Sequence, residues 1–197
     1  MHQSAMQALR KATGAVHQRL EDSLHVNAPG AGRAAFLSYL AALHAWQAGF
    51  EARLWKGPWP APMQADERSG KCAWMAADLA SCGMAPLRTT PGWTPPLDSL
   101  PRRLGLAYVV EGAQLGTQVL GKRLAGQLGE WQPCWLQGYG EHTGARWRSF
   151  MQLAEELLAS EDDRQQAATA AVQAFESLAA WFIQCGAASA PLERMQA

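Results

Sequence analysis

The sequence predicts an all-α fold, built as a single-domain bundle of several helices. Apolar residues recur at three- and four-residue spacing through long segments, which is the period of amphipathic helices rather than of strands. Stretches rich in proline and glycine separate these segments, and no segment shows a convincing strand alternation. At 197 residues the chain is long enough for one domain with a substantial core. We therefore expect one domain over residues 1–197, with residues 190–197 as a loose tail.

The N-terminal half contains three predicted helices. The first follows from apolar residues at helical spacing between residues 6 and 24. A second helix is expected over residues 34–55, after Pro29 and Gly30 interrupt the pattern. A third is expected over residues 65–81, with Gly83 just beyond its end. Proline-rich loops follow the second and third helices.

The C-terminal half contains three further predicted helices. The first half of residues 102–124 is apolar on nearly every side, as expected for a central helix that other helices cover, and Gly126 and Gly129 are expected to end it. Thr143 is the predicted N-cap of a helix that runs to residue 159. Ser160 and Asp163 together resemble a capping box, which opens a last helix to residue 184.

Composition narrows the class of partner. Basic and acidic residues number 17 each, so the chain carries no net charge that would draw it to nucleic acid or to an acidic membrane. The four cysteines are widely spaced, no secretion signal is evident, and no apolar run reaches the roughly 18 residues that a membrane span needs. We therefore expect a cytoplasmic protein whose partner is a small molecule.

The first predicted helix carries a polar stripe that could hold a metal-bearing ligand. Arg10, Gly14, His17 and Glu21 share one face of this helix, beside its apolar face. Gly14 leaves space one turn before His17 for a large planar ligand, and Glu21 can accept a hydrogen bond from the second ring nitrogen. The alternative is that His17 is an ordinary residue at the boundary between core and solvent.

The central helix contains glycines that need a compensating contact. A glycine inside a helix costs about 1 kcal/mol relative to alanine. Gly112 and Gly116 lie one turn apart, with Ala113 and Thr117 as a parallel row of small residues, and Gly105 extends the line. Either the helix lies flat against a macrocycle, or these residues form a seam where two helices pack closely.

Two segments resemble the heme oxygenase family, in its bacterial, biliverdin-producing type. Residues 9–21, LRKATGAVHQRLE, resemble the family's first helix with its iron-ligating histidine, and residues 107–120, AYVVEGAQLGTQVL, resemble its glycine-bearing distal helix. The resemblance implies an all-α, heme oxygenase-like bundle in which heme is both substrate and cofactor, with His17 as the iron ligand. It also implies cleavage of heme to biliverdin, CO and ferrous iron, with molecular oxygen consumed.

The same resemblance assigns roles to individual residues. Small residues are expected to form the catalytic wall above the iron, namely Gly112, Ala113, Gly116 and Thr117. Other residues are expected to contact the heme, namely His17, Arg10, Gly14, Glu21, Tyr108 and Arg146. Many family members carry an aspartate where this chain has Ala113, so Thr117 or water held by backbone groups would have to deliver the proton.

The resemblance also implies protein partners. Electrons are expected from a separate reductase or ferredoxin, and a photoreceptor that accepts the bilin is a further candidate. Arg102, Arg103, Lys122 and Arg123 could flank the heme edge and recruit an acidic donor, or could simply be the solvated ends of a helix. Two other functions stay open: a heme carrier without turnover, for which Ala113 is the reason, and a thiaminase-like enzyme on the same scaffold.

Overall fold

Helix α1 (Ala5–Ser23) begins at a capping box that the sequence analysis did not identify. The computed structural model describes residues 4–190. The Ser4 side chain accepts a hydrogen bond from the Gln7 N–H at 3.2 Å, and the Gln7 side chain accepts one from the Ser4 N–H at 3.2 Å. Glu155, from a later helix, accepts two further hydrogen bonds from the N–H groups of Ala5 (2.8 Å) and Met6 (3.0 Å). These bonds fix the start of the helix that carries His17.

Two of the predicted helices are each divided in two. The helix predicted over 34–55 consists of α2 (Arg33–Ala48) and α3 (Glu51–Trp55), because Phe50 lies outside the helical region at φ −141° and ψ −13°. The helix predicted over 65–81 consists of α4 (Ala65–Arg68) and α5 (Lys71–Ser81). Gly70 separates this second pair with φ +90°, a conformation that favours glycine.

The central helix, α6 (Leu100–Leu128), is longer than predicted. Its 29 residues begin after the N-cap Ser99 and continue through Gly126 to Leu128, with Gly129 as the C-cap. At about 1.5 Å per residue this helix is roughly 43 Å long. It is followed by α7 (Cys134–Gln137), α8 (Thr143–Leu157) and α9 (Glu161–Gln184).

The predicted caps of the last two helices have different outcomes. Thr143 is not the N-cap of α8 but its first residue, and its hydroxyl donates to the Gly140 carbonyl at 2.9 Å. The capping box of Ser160 and Asp163 at the start of α9 is confirmed. The predicted tail lies outside the described residues, apart from residue 190 itself.

Helix α9 makes the most extensive contacts with other helices in the described part of the chain. The two most extensive helix contacts within residues 4–190 are those of α6 and of α1 with α9. Residues 4–190 contain no strand of more than an isolated bridge, which confirms the all-α prediction. Within residues 4–190, none of the helices combines the length and the apolar character that a membrane span requires.

A buried ionic cluster ties the loops to the middle of α6. The Glu111 carboxylate pairs with Arg68 and with Lys71, and both basic side chains are fully buried. The Lys71 ammonium also donates to the Tyr139 hydroxyl at 2.7 Å. Because Glu111 directly precedes Gly112, this cluster fixes the part of α6 where the predicted catalytic wall begins.

Candidate functional site

A cavity of about 670 Å³ lies between α1 and α6. Its volume is within the range of about 300–1,000 Å³ that is usual for small-molecule sites. Helices α2, α8 and α9 and the segment that follows α1 also contribute to the lining, which includes the aromatic residues Tyr39, Trp46, Trp147, Phe175 and Phe182. The structure thus brings the two sequence motifs to one concave surface, although 85 residues or more separate them in the chain.

Helix α1 contributes its whole predicted polar stripe to the cavity: Arg10, Gly14, His17 and Glu21. The His17 ring packs edge-on against Phe175, with ring centroids 5.2 Å apart. His17 Nε2 lies 3.7 Å from Glu21 Oε1, which is too long for a direct hydrogen bond but close enough for an oriented pair. The His17 side chain is 52% exposed, so a ligand that enters the cavity can reach the imidazole.

Helix α6 contributes the second wall, which includes Tyr108, Gly112, Ala113, Gly116 and Thr117. A Cβ atom added to Gly116 would meet no heavy atom of the described residues within 4 Å. One added to Gly112 would meet only the ring of Trp147, at 3.6 Å. Gly116 therefore faces open space, and Gly112 lies at ordinary contact distance from the Trp147 ring. The seam of closely packed helices includes neither glycine.

The close seam exists, but at Gly105. A Cβ atom there would lie 2.1 Å from the Ala167 carbonyl oxygen and 3.0 Å from the Ala170 Cβ. Gly105 is therefore required for the approach of α6 to α9. The line of glycines read from the sequence divides into one residue that packs against a helix and two that line the cavity.

Two arginines stand at the cavity, one on each wall. Arg10 is exposed, and its guanidinium lies 3.6 Å from Met151 Sδ and pairs with no carboxylate among the described residues. Arg123, on α6, donates a hydrogen bond to the Asn27 side chain. Since Arg10 has no anionic partner within residues 4–190, it is available to an anionic group of a ligand.

Arg146 lies elsewhere. Its guanidinium pairs with Glu67 and stands 4.8 Å from the centre of the Tyr139 ring, and it does not line the cavity. Trp147, the next residue, takes the place at the cavity and contacts Tyr108, with ring centroids 5.7 Å apart. The expected contact of Arg146 with a ligand is therefore not supported by its position.

The four basic residues predicted to recruit an electron donor do not form one patch. Arg103 is buried and donates to the carbonyl oxygens of Leu97 and Pro58, and Arg102 pairs with Asp98. Both lie near the start of α6, whereas Lys122 is about 20 residues and roughly 30 Å farther along the same helix. A single surface made of Arg102, Arg103 and Lys122 is excluded.

The sequence analysis missed the contribution of α2. Tyr39, Leu43 and Gln47 follow one another at four-residue spacing and line the cavity. Gln47 is 1% exposed, and its amide donates to Glu51 Oε1 at 2.8 Å. Burial, and secondarily the charge of Glu21, raise the pKa of Tyr39, so its phenol stays protonated at neutral pH. The sequence feature that could have indicated this part of the site is the polar Gln47, which follows the apolar Leu43 on the same face of α2.

Comparison with known proteins supports the fold. The chain is similar to the structure of a heme oxygenase from Neisseria meningitidis that was solved with bound NO and CO. The match has a TM-score of 0.77 and 18% sequence identity, and it covers 93% of this chain and 92% of the other. No protein-family model and no curated protein sequence matches the chain. The chain therefore has a heme oxygenase-like, all-α fold.

Proposed function

We propose that the chain is a heme oxygenase, which cleaves heme to biliverdin with release of CO and ferrous iron, and that His17 binds the iron. One observation carries this proposal: His17 and the side-chain-poor face of α6 line the same cavity, within a fold similar to that of a heme oxygenase. Neither feature alone is specific, because isolated histidines and helical glycines are common in ordinary bundles.

The residues of the cavity suit heme. Gly14 and Gly116 both face open space within the described part of the chain, so a flat macrocycle can approach α1 and α6 closely. The aromatic and aliphatic lining provides an apolar contact surface for a porphyrin. Arg10, without an anionic partner among residues 4–190, can pair with a propionate, and Tyr108 lines the same cavity.

The chemistry divides between the heme and the chain. Bound heme supplies the iron that activates oxygen and the macrocycle that is cleaved. His17 would hold the heme iron through a neutral ring nitrogen, and the Glu21 carboxylate, whose Oε1 lies 3.7 Å from Nε2, would orient the ring. The absence of side chains at Gly112 and Gly116 would let a macrocycle approach the α6 backbone, and the apolar lining would limit access of bulk water to it. A separate electron donor is part of this proposal.

Proton delivery must differ from that of members with a distal aspartate. Ala113 has no acidic group, and the Thr117 hydroxyl already donates to the Gln114 carbonyl at 2.8 Å. The Thr117 oxygen can still accept a hydrogen bond from water. Gln47 offers a second polar group: its side-chain Nε2 donates to Glu51, and its side-chain oxygen, Oε1, accepts no hydrogen bond from residues 4–190. We infer that water held by Thr117 and Gln47 carries the proton.

A heme carrier without turnover is the second candidate, and Ala113 is the observation that favours it. Titration of the purified protein with hemin distinguishes the candidates. Heme binding through His17 produces a Soret band that His17→Ala changes, while His142→Ala, at an exposed residue of a 3₁₀ turn, leaves it intact. Addition of a reductant with catalase then converts the Soret band to biliverdin absorption if the protein is a heme oxygenase.

Other outcomes of these experiments would contradict the proposal. A stable complex that binds CO but forms no bilin would support the carrier. The absence of any Soret shift on hemin addition would refute both and favour a thiaminase-like activity. Decay of heme that His17→Ala does not alter would refute the assigned ligand.

A further inference from the structure

The two walls of the cavity are joined at one end through Asn27. This residue ends a short 3₁₀ turn, His25–Asn27, that follows α1. Its Nδ2 donates to the Glu21 carbonyl oxygen at 2.8 Å and to Glu21 Oε2 at 3.1 Å. Its Oδ1 accepts a hydrogen bond from Arg123, on α6. Glu21, Asn27 and Arg123 all line the cavity.

The orientation of the Asn27 amide follows from its two partners. A carboxylate only accepts hydrogen bonds and a guanidinium only donates them. The amide can satisfy both only when its nitrogen faces Glu21 and its oxygen faces Arg123. Arg123 therefore acts on Glu21 through Asn27, without touching the carboxylate itself.

This arrangement sets which oxygen of Glu21 faces the histidine. Asn27 holds Oε2, and the other oxygen, Oε1, lies 3.7 Å from His17 Nε2. The Glu21 side chain is 49% exposed, so without a second contact it would be free to adopt other rotamers in solvent. The hydrogen bond from Asn27 Nδ2 to Oε2 favours the Glu21 rotamer that faces His17.

We propose that Asn27 and Arg123 are positioning residues for the ligand histidine: they hold the Glu21 carboxylate against His17 and link the ligand helix α1 to the opposite wall, α6. The proposal rests on the proposed function, in which His17 binds heme iron. A histidine ligand is usually oriented by a carboxylate or carbonyl that accepts from its second nitrogen, and loss of such a partner typically weakens metal binding about 10–100-fold.

The test uses the full chain with hemin. Asn27→Ala and Arg123→Met each remove one link, and Lys122→Met removes a neighbouring exposed cation that does not line the cavity. We expect each of the first two to speed hemin dissociation about 3–10-fold, at or below the low end of the range for a direct partner. Each should also lower the iron–histidine stretching frequency of the ferrous complex. In the double variant, the dissociation rate and the frequency should change no more than in either single variant. Lys122→Met should change neither the dissociation rate nor the frequency.

Two results would overturn the proposal. If Arg123→Met speeds dissociation, leaves the iron–histidine frequency unchanged and adds to the effect of Asn27→Ala, then Arg123 contacts the ligand directly, as it would contact a propionate. If neither variant changes the frequency or the dissociation rate, the contacts have no positioning role. Arg123→Lys retains a donor and should restore part of the wild-type frequency.

A measurement on the heme-free protein separates this proposal from the proposed function. The ring resonances of His17 in NMR spectra should shift in Asn27→Ala and in Arg123→Met, and not in Lys122→Met. If hemin fails to bind through His17 while these shifts occur, the proposed function is wrong and the link to His17 stands. If the ring resonances stay unchanged in both variants, the link itself is refuted.

Discussion

Alanine substitutions at two glycines of α6 should change stability in opposite directions. At Gly116 an added methyl group meets no heavy atom of residues 4–190 within 4 Å. At Gly105 the same methyl group would lie 2.1 Å from the carbonyl oxygen of Ala167 and 2.9 Å from its carbon. Both glycines are inside one helix, so the intrinsic helical preference for alanine is the same at each.

The magnitudes follow from these contacts. Gly116→Ala should raise the free energy of unfolding by about 0.8–1 kcal/mol, because only the helical propensity changes. For a chain of this size, that corresponds to a Tm increase of roughly 2–4 °C. Gly105→Ala gains the same propensity but forces α6 away from the α9 backbone. Overpacking of this kind typically costs about 1–3 kcal/mol and sometimes more, so we expect a net loss there.

Urea unfolding of the heme-free variants, followed by circular dichroism, measures both effects. Gly14→Ala, on α1, is a matched control, since its added methyl group also meets no described heavy atom within 4 Å. It should stabilise the protein as Gly116→Ala does. Destabilisation by Gly116→Ala would mean that another part of the protein covers this wall, and the cavity assignment would fail. Under the proposed function, Gly116→Ala should also slow biliverdin formation although it stabilises the heme-free fold.

The other predictions concern groups that hold the site in place. Glu111→Gln should cost about 3–5 kcal/mol in the free energy of unfolding, because it leaves the buried Arg68 and Lys71 without their carboxylate. Asp98→Asn, in an exposed pair with Arg102, should lower the free energy of unfolding by about 1 kcal/mol or less. If Glu111→Gln and Asp98→Asn lower the Tm equally in thermal unfolding, the stabilising role of the buried cluster is contradicted. Burial raises the pKa of Glu155, but hydrogen bonds from the start of α1 outweigh burial and lower this pKa overall. The contribution of Glu155 to the stability of the fold is therefore complete above its ordinary pKa, and it is lost as pH falls through the folded-state pKa. Glu155→Gln should therefore lower the free energy of unfolding by about 0.3–1 kcal/mol at pH 7, and this difference from the wild type should disappear in acid. A difference that does not change with pH in urea titrations would refute this.

The helices could be predicted from the sequence because their signals are local. Apolar periodicity located all of the long helices, and the capping box of Ser160 and Asp163 located the start of α9. The breaks at Phe50 and Gly70 were missed because the apolar period continues across both. Gly126 was mistaken for a helix end since a glycine there is equally compatible with a helix interior.

The site could be predicted only in part. Nine of the ten predicted site residues line the cavity, because each wall is one helix and the spacing within a helix fixes which residues share a face. Arg146 differs because its position depends on α4, which supplies Glu67 as a partner from a distant part of the chain. Tyr39 and Gln47 were missed for the same reason: a face of α2 is assigned to a site only by its packing against other helices.

The difference between a packing seam and a ligand wall depends on the partner helix as much as on α6. Along α9, the small buried residues Ala167, Ala170, Ala171 and Ala174 lie at helical spacing, and two of them meet Gly105. From Phe175 onward, the side chains of α9 that line the cavity are large, namely Phe175, Leu178 and Phe182. Small residues on both helices allow backbones to approach closely, whereas glycine on one helix opposite bulky side chains on the other leaves a space. The change from alanine to phenylalanine on α9 therefore indicates where the seam ends, and it explains why Gly105 and Gly116, on one helix, have different environments.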